Sequence, residues 1–115
     1  MSKRIPKLLI IDMQECVSAL EEYTSNIDYE SFLSDRKTKD AVLRNIQVLG
    51  EAANRLPDNL KENYPEVEWE KIIRSRHIVI HDYSAIDYSI VWRIATVHRI
   101  PLKESLKKII KSFDA

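Results

Sequence analysis

Three observations place this chain in the all-α class. A single glycine in 115 residues leaves little for the tight hairpin turns of β-rich folds. No segment shows the every-second-residue apolar alternation of a half-buried strand. Through most of the chain, apolar residues instead recur every three or four positions, the spacing of a helix with one buried face. The length suits one domain, 1–115, with a single core, and the punctuation predicts a bundle of about five helices.

Pro6 stands near the start of a first helix whose stripe is Leu9, Met13, Cys16, Val17 and Leu20, fading around Tyr23–Asn26. Asp28–Asp35 reads as a short helix or turn. From about Thr38 to Leu56 runs the clearest helix, with Val42, Ile46, Leu49, Ala53 and Leu56 on one face and Arg44, Gln47, Glu51 and Arg55 outside it. Gly50 lies inside this helix, where it costs about 1 kcal/mol against alanine; a glycine kept there is expected to let another backbone approach closely. Pro57 ends the helix, and Asn59–Tyr64 gives another turn. Trp69 opens a central helix, with Glu66, Glu68 and Glu70 suited to its positive N-terminal end. Asp87 is the expected N-cap of the next helix, whose stripe is Ile90, Val91, Ile94 and Val97. Pro101 starts the last, carrying Leu102, Leu106, Ile109, Ile110 and Phe113 opposite a lysine-rich, solvated face.

Composition narrows the function classes. The formal net charge is zero, so no global basic field holds nucleic acid, and any such contact needs a local patch. Lys71 to His81 contains no acid and offers one. The lone glycine excludes glycine-rich phosphate loops. The single cysteine, Cys16, excludes an intrachain disulfide and a thiolate zinc cluster, and its apolar surroundings predict a buried structural thiol. The apolar run Leu8–Ile11 is cut short by Asp12, too early for a signal peptide or a membrane span, which predicts a cytoplasmic protein without membrane contact.

The stretch from Lys71 to Tyr83 concentrates arginines, histidines, an acid and a tyrosine in an apolar run. Wound as one helix, it puts Trp69, Ile72, Ile73 and Ile80 on a core face, with Arg76 and Tyr83 in the middle of that stripe. An unpaired buried guanidinium would be very costly. His81 projects about 140° from Arg76, beside Arg74, His77 and Ile78. An isoleucine on the outer side predicts that this face too is covered, by a second subunit.

Three chemistries suit these residues. His77 and His81, four apart with Asp82 nearby, could grip a metal ion, but two histidines are half a site, and no Glu follows His77 as a zinc protease requires. Arg76 could pair structurally with a buried acid, with Tyr83 capping the core. Or the group could cleave RNA without metal: a side chain of near-neutral pKa moves the 2′-hydroxyl proton, and a fixed cation meets the phosphorane charge. His81 and Arg76 are the residue types this needs, and a two-fold dimer would bring two histidines together.

Arg76, His81 and Tyr83 form an R-x-x-x-x-H-x-Y pattern that resembles the motif of HepT-like toxins in the HEPN superfamily. Arg44–Ala53 resembles that family's second-helix signature, and Tyr64-Pro65, Trp69–Ile73 and Ile86–Trp92 resemble its flanking segments, so the likeness runs from about residue 8 to 110. The resemblance implies a HEPN-type helical bundle that dimerises around the motif helices. It implies metal-independent endoribonuclease activity, without cofactor or metal, carried by Arg76 and His81 across the dimer cleft. It also implies a partner antitoxin, a minimal nucleotidyltransferase that attaches AMP to Tyr83. Many members carry Asn directly after the motif arginine; here His77 stands there, a further proton-transfer group or a different hydrogen bond, with Arg74 as another supporting cation. The chain is thus expected to be the RNA-cleaving toxin of a two-gene pair, acting as a homodimer. The rival expectation is a non-catalytic helical dimer that binds and positions the nucleotidyltransferase.

Overall fold

The computed structural model describes residues 4–78 and 86–114. It is all-α, with no strand among these residues: α1 (Arg4–Thr24), α2 (Tyr29–Ser34), α3 (Arg36–Arg55), α4 (Asp58–Glu62), α5 (Trp69–Ser75), α6 (Tyr88–Arg93) and α7 (Arg99–Ser112). A 3-10 turn, Arg76–Ile78, follows α5, and a π-turn, Ile94–His98, joins α6 to α7. The short α2 and α4 are the minor pieces expected at Asp28–Asp35 and Asn59–Tyr64. No helix among the described residues is long and apolar enough to cross a membrane.

The centre of the bundle is α1 against α3, with α7 on the free side of α1 and α5 on α3. Ile10, Met13, Val17 and Leu20 meet Val42, Ile46, Leu49 and Ala53, and every stripe residue predicted for these two helices is buried. Fully burying one such Leu or Ile contributes about 1.5–3 kcal/mol. α1 stops where Asn26 turns left-handed (φ 63°), a conformation asparagine tolerates.

Asp35 makes the corner between α2 and α3. Its backbone N–H bonds Phe32 O at 3.2 Å, closing α2, while its side chain accepts from Thr38 N at 3.2 Å and Thr38 Oγ1 at 2.7 Å, opening α3. Phe32, fully buried, packs its ring on Trp92 at 5.0 Å and Tyr88 at 6.3 Å, so α2 is fastened along α6.

Two expectations for the C-terminal half need correcting. Pro101 does not begin a separate helix: α6, the π-turn and α7 run on without a gap. Proline has no N–H to bond Val97 O, and its ring crowds that carbonyl. The wider turn just before it absorbs the conflict, with Arg99 N–H reaching Ile94 O five residues back. The core stripe is also centred differently. Val91 and Ala95 are fully buried with Trp92 partly so, whereas Ile90 (48% exposed) and Val97 (52% exposed) stand outside the core. Ala95 lets the helix seat closely against α1, which turns the side carrying Ile90 and Val97 toward the edge of the bundle. As predicted, Asp87 caps α6, its side chain accepting from Ser89 N at 3.0 Å.

The lysine side of α7 is solvated as expected, yet it reaches other segments: Lys108 Nζ lies 3.5 Å from Glu66. Lys103 Nζ reaches Glu21 of α1 at 2.8 Å, and Arg99 Nη1 approaches the same oxygen at 3.6 Å. Both contacts hold the Glu21 carboxyl below its usual range, the Lys103 hydrogen bond most of all.

Candidate active site

The site is built where α5 runs out against α3. Ser75, nearly buried, donates its hydroxyl to Ile72 O at 2.6 Å, and Arg76 N–H bonds Ile73 O, three residues back. With the side chain of Ser75 drawing on the Ile72 carbonyl, the α-helix tightens into the 3-10 turn Arg76–Ile78. Among the described residues, the continuous helix expected through Tyr83 is α-helical to Ser75 and 3-10 over Arg76–Ile78. Ile80, His81, Asp82 and Tyr83 lie outside the described residues.

Gly50 fixes the approach. A Cβ built there would stand 2.9 Å from Ile72 O, 3.0 Å from Arg76 Cβ and 3.3 Å from Arg76 N. The expectation of a close backbone contact at this glycine is met, and the partner is the stretch carrying the motif arginine. The next residue of α3 takes the other end of that arginine: Arg76 Nη1 donates to Glu51 Oε1 at 3.0 Å. The Arg76 side chain is 19% exposed and that of Glu51 53% exposed. A structural pairing of Arg76 was foreseen with a buried acid; the acid is real but lies at the surface, on the face of α3 read from sequence as plain solvent side. Helical spacing within α3 could not reveal it, because the contact spans 25 residues of chain.

Arg76 Nε donates to His77 Nε2 at 3.3 Å, so the two neighbours act on each other directly. Arg74 is placed apart from them. It lines a groove of about 610 Å³ between α5 and the α6–α7 rod, together with Ile72, Ile78, Ile90, Ile94 and Lys71. Ile78, expected on an outer face awaiting a second subunit, is partly buried on this chain's own core. The part it leaves uncovered lines that groove. The acid-free run is less basic in space than in sequence: Lys71 pairs with Glu68 at 2.7 Å, as Arg76 does with Glu51.

Chemically, the described part of the site offers a guanidinium held from two sides, with an imidazole and a carboxylate on it. Such a cation suits a phosphodiester, whose charge it can meet with several N–H bonds at once.

Comparison with known proteins bears on which reaction this serves. A family model described as "Ribonuclease HepT-like" matches residues 13–109. The chain is 34% identical over 109 residues to "Probable ribonuclease HepT" of Thermococcus cleftensis, covering 95% of this chain and 99% of that protein. It is 33% identical over 114 residues to "Putative RNase MJ1380" of Methanocaldococcus jannaschii, covering 99% and 98%. It also matches "Gamma-glutamylcyclotransferase and putative RNase MJ0434" of the same organism, 30% identical over 108 residues, 94% of this chain but 49% of that one. No solved structure matches significantly.

Proposed function

Because the chain belongs to the HepT-like ribonuclease family, we propose that it is the RNA-cleaving toxin of a toxin–antitoxin pair, a metal-independent endoribonuclease acting as a homodimer. Arg76 binds the scissile phosphate and offsets the charge that grows on it in the transition state. His81 moves the proton of the 2′-hydroxyl, which attacks the adjacent phosphorus and expels the 5′-oxygen, leaving a cyclic phosphate. His77 supports this from beside the guanidinium. Arg74 supplies a further cation for the RNA backbone. Tyr83 is the control point, where a minimal nucleotidyltransferase antitoxin attaches AMP.

The observation that carries the reading is Arg76 itself: a motif arginine, mostly covered yet held by a surface acid and an adjacent imidazole, in a chain of this family. Support for the dimer comes from apolar surface around the groove that Ile78 lines. Ile90, Val97 and Ile100, each about half exposed, leave apolar surface on and beside the α6–α7 rod, with Ile94 in the groove next to it. Ile90→Asp together with Val97→Asp is expected to yield monomers by light scattering.

The direct test is purified protein with total RNA in EDTA, beside Arg76→Ala and His81→Ala. Cleavage by the parent and by neither variant is expected, with DNA spared because it lacks the attacking hydroxyl. Activity that vanishes in EDTA and returns with zinc would favour His77 and His81 as ligands. No cleavage under any condition would favour the helper that positions a nucleotidyltransferase, a reading with which the charge-neutralising Glu51 is compatible.

A further inference from the structure

Resting on the ribonuclease reading, we infer that Glu51 is a positioning residue for that reaction: together with Gly50 it forms a two-residue cradle on α3 that fixes where Arg76 presents its charge. An arginine at the end of a helix has four side-chain torsions; left alone, its guanidinium would sample many positions around the reacting phosphate. Two independent contacts remove that freedom. The missing Cβ of Gly50 lets the Arg76 backbone and Cβ settle against α3, fixing the root of the side chain. Glu51 Oε1 then takes Nη1 at 3.0 Å, fixing its tip. The root and the tip are thus held by consecutive residues of one helix, and α3 is the best-buried helix near the site.

The pairing leaves the arginine useful. A guanidinium has five N–H donors; Glu51 uses one at Nη1 and His77 the one at Nε. A second feature argues for positioning over simple adhesion. The Glu51 carboxylate is about half in water, where a single ion-pair contact adds little to stability. Its effect on geometry does not shrink with exposure in the same way, because a displacement of about 1 Å in a catalytic group can cost a hundredfold in rate.

Glu51→Ala, Glu51→Gln and the parent should be compared for kcat and KM on one RNA, with thermal melting alongside. The alanine variant is expected to lose about tenfold or more in kcat, with KM unchanged or lowered because a negative charge has gone, and with its melting temperature near the parent's. The glutamine variant, which keeps an acceptor oxygen but no charge, is expected to recover most of that turnover. Equal turnover of the alanine variant and the parent overturns the proposal, as does a loss that follows the melting temperature or that glutamine does not restore. Nitrogen NMR of the Arg76 guanidinium, assigned by its absence in Arg76→Lys, decides the question even if no RNA is cut. Slowed rotation at Nη in the parent and Glu51→Gln, and free averaging in Glu51→Ala, are expected; identical spectra in all three refute the cradle. If the parent cuts no RNA while these spectra differ, the ribonuclease reading falls and the cradle stands as a fact about Arg76.

Discussion

Substituting Gly50 by alanine sets two opposing effects against each other. In an unpacked helix the change would stabilise by about 1 kcal/mol, because alanine loses less backbone entropy. At this position the new methyl meets Ile72 O at 2.9 Å and Arg76 Cβ at 3.0 Å. Neither atom is the loose end of a flexible chain. Ile72 O is backbone and already takes the Ser75 hydroxyl at 2.6 Å, and Arg76 Cβ is fixed to the turn that follows. Relief therefore requires α5 to move off α3 by several tenths of an ångström, an overpacking that costs about 1–3 kcal/mol. The net expectation is destabilisation by about 1 kcal/mol, or about 4 °C in melting temperature for a chain of this size. Because Arg76 moves with the displaced segment, cleavage should fall further than stability alone explains, by about tenfold at a temperature where both proteins are folded. Urea unfolding followed by helical circular dichroism gives the first quantity and initial rates on RNA the second. A variant as stable as the parent, with unchanged cleavage, would show that α5 can retreat freely and that the close approach does not hold the arginine.

The buried Cys16 thiol is pushed up to about 11, by desolvation first and then by Asp12 and Glu15. At pH 8 only about one molecule in a thousand would carry the thiolate, so a thiol reagent should react slowly with the folded protein and at the ordinary rate in urea. Asp28, Asp35 and Asp87 are held below their usual range by capping hydrogen bonds, and Glu21 and Glu68 by lysines. The unfolded chain therefore takes up protons first: these groups support the fold above the ordinary carboxylate range, and that support drains as pH falls below about 4.5. Melting temperature against pH should show this decline, and a profile flat to pH 3 would refute it. Tyr83→Phe should still cleave RNA yet escape silencing by the nucleotidyltransferase; mass spectrometry after co-expression reads the AMP, and an unmodified Tyr83 in a silenced toxin would point to occlusion instead.

Where periodicity alone decides burial, the sequence was legible. The α1 and α3 stripes, the Asp87 cap and the meaning of Gly50 follow from spacing and from what each residue type can do. Contacts that depend on a second element were not. Glu51 looks like any solvent-side acid until α5 is laid against α3, and of the α6 stripe Val91 and Ile94 face the core while Ile90 and Val97 do not, because the small Ala95 sets which side faces α1. The end of α5 was hidden too. A serine that draws on a carbonyl of its own helix and a shift to 3-10 winding leave the apolar pattern of Ile72, Ile73 and Ile78 intact, so periodicity runs on past the point where the α-helix stops.

The double role of Asp35 reaches further than capping. Because one carboxylate and one amide join α2 to α3 with no intervening linker, the aromatic clasp of Phe32 on Tyr88 and Trp92 is referred to the same rod that carries Gly50 and Glu51. The motif is thereby flanked on both sides by residues registered to a single rigid ruler, while α1 and α7 are bound to each other through Glu21, Lys103 and Arg99 at a different place. Such an arrangement divides labour between two sets of mutations. Changes to the α7 core residues Leu106 and Ile109, which pack away from the motif, should alter mainly how long the molecule survives, and a change at the exposed Glu51 mainly how well it works, so the two properties can be tuned apart.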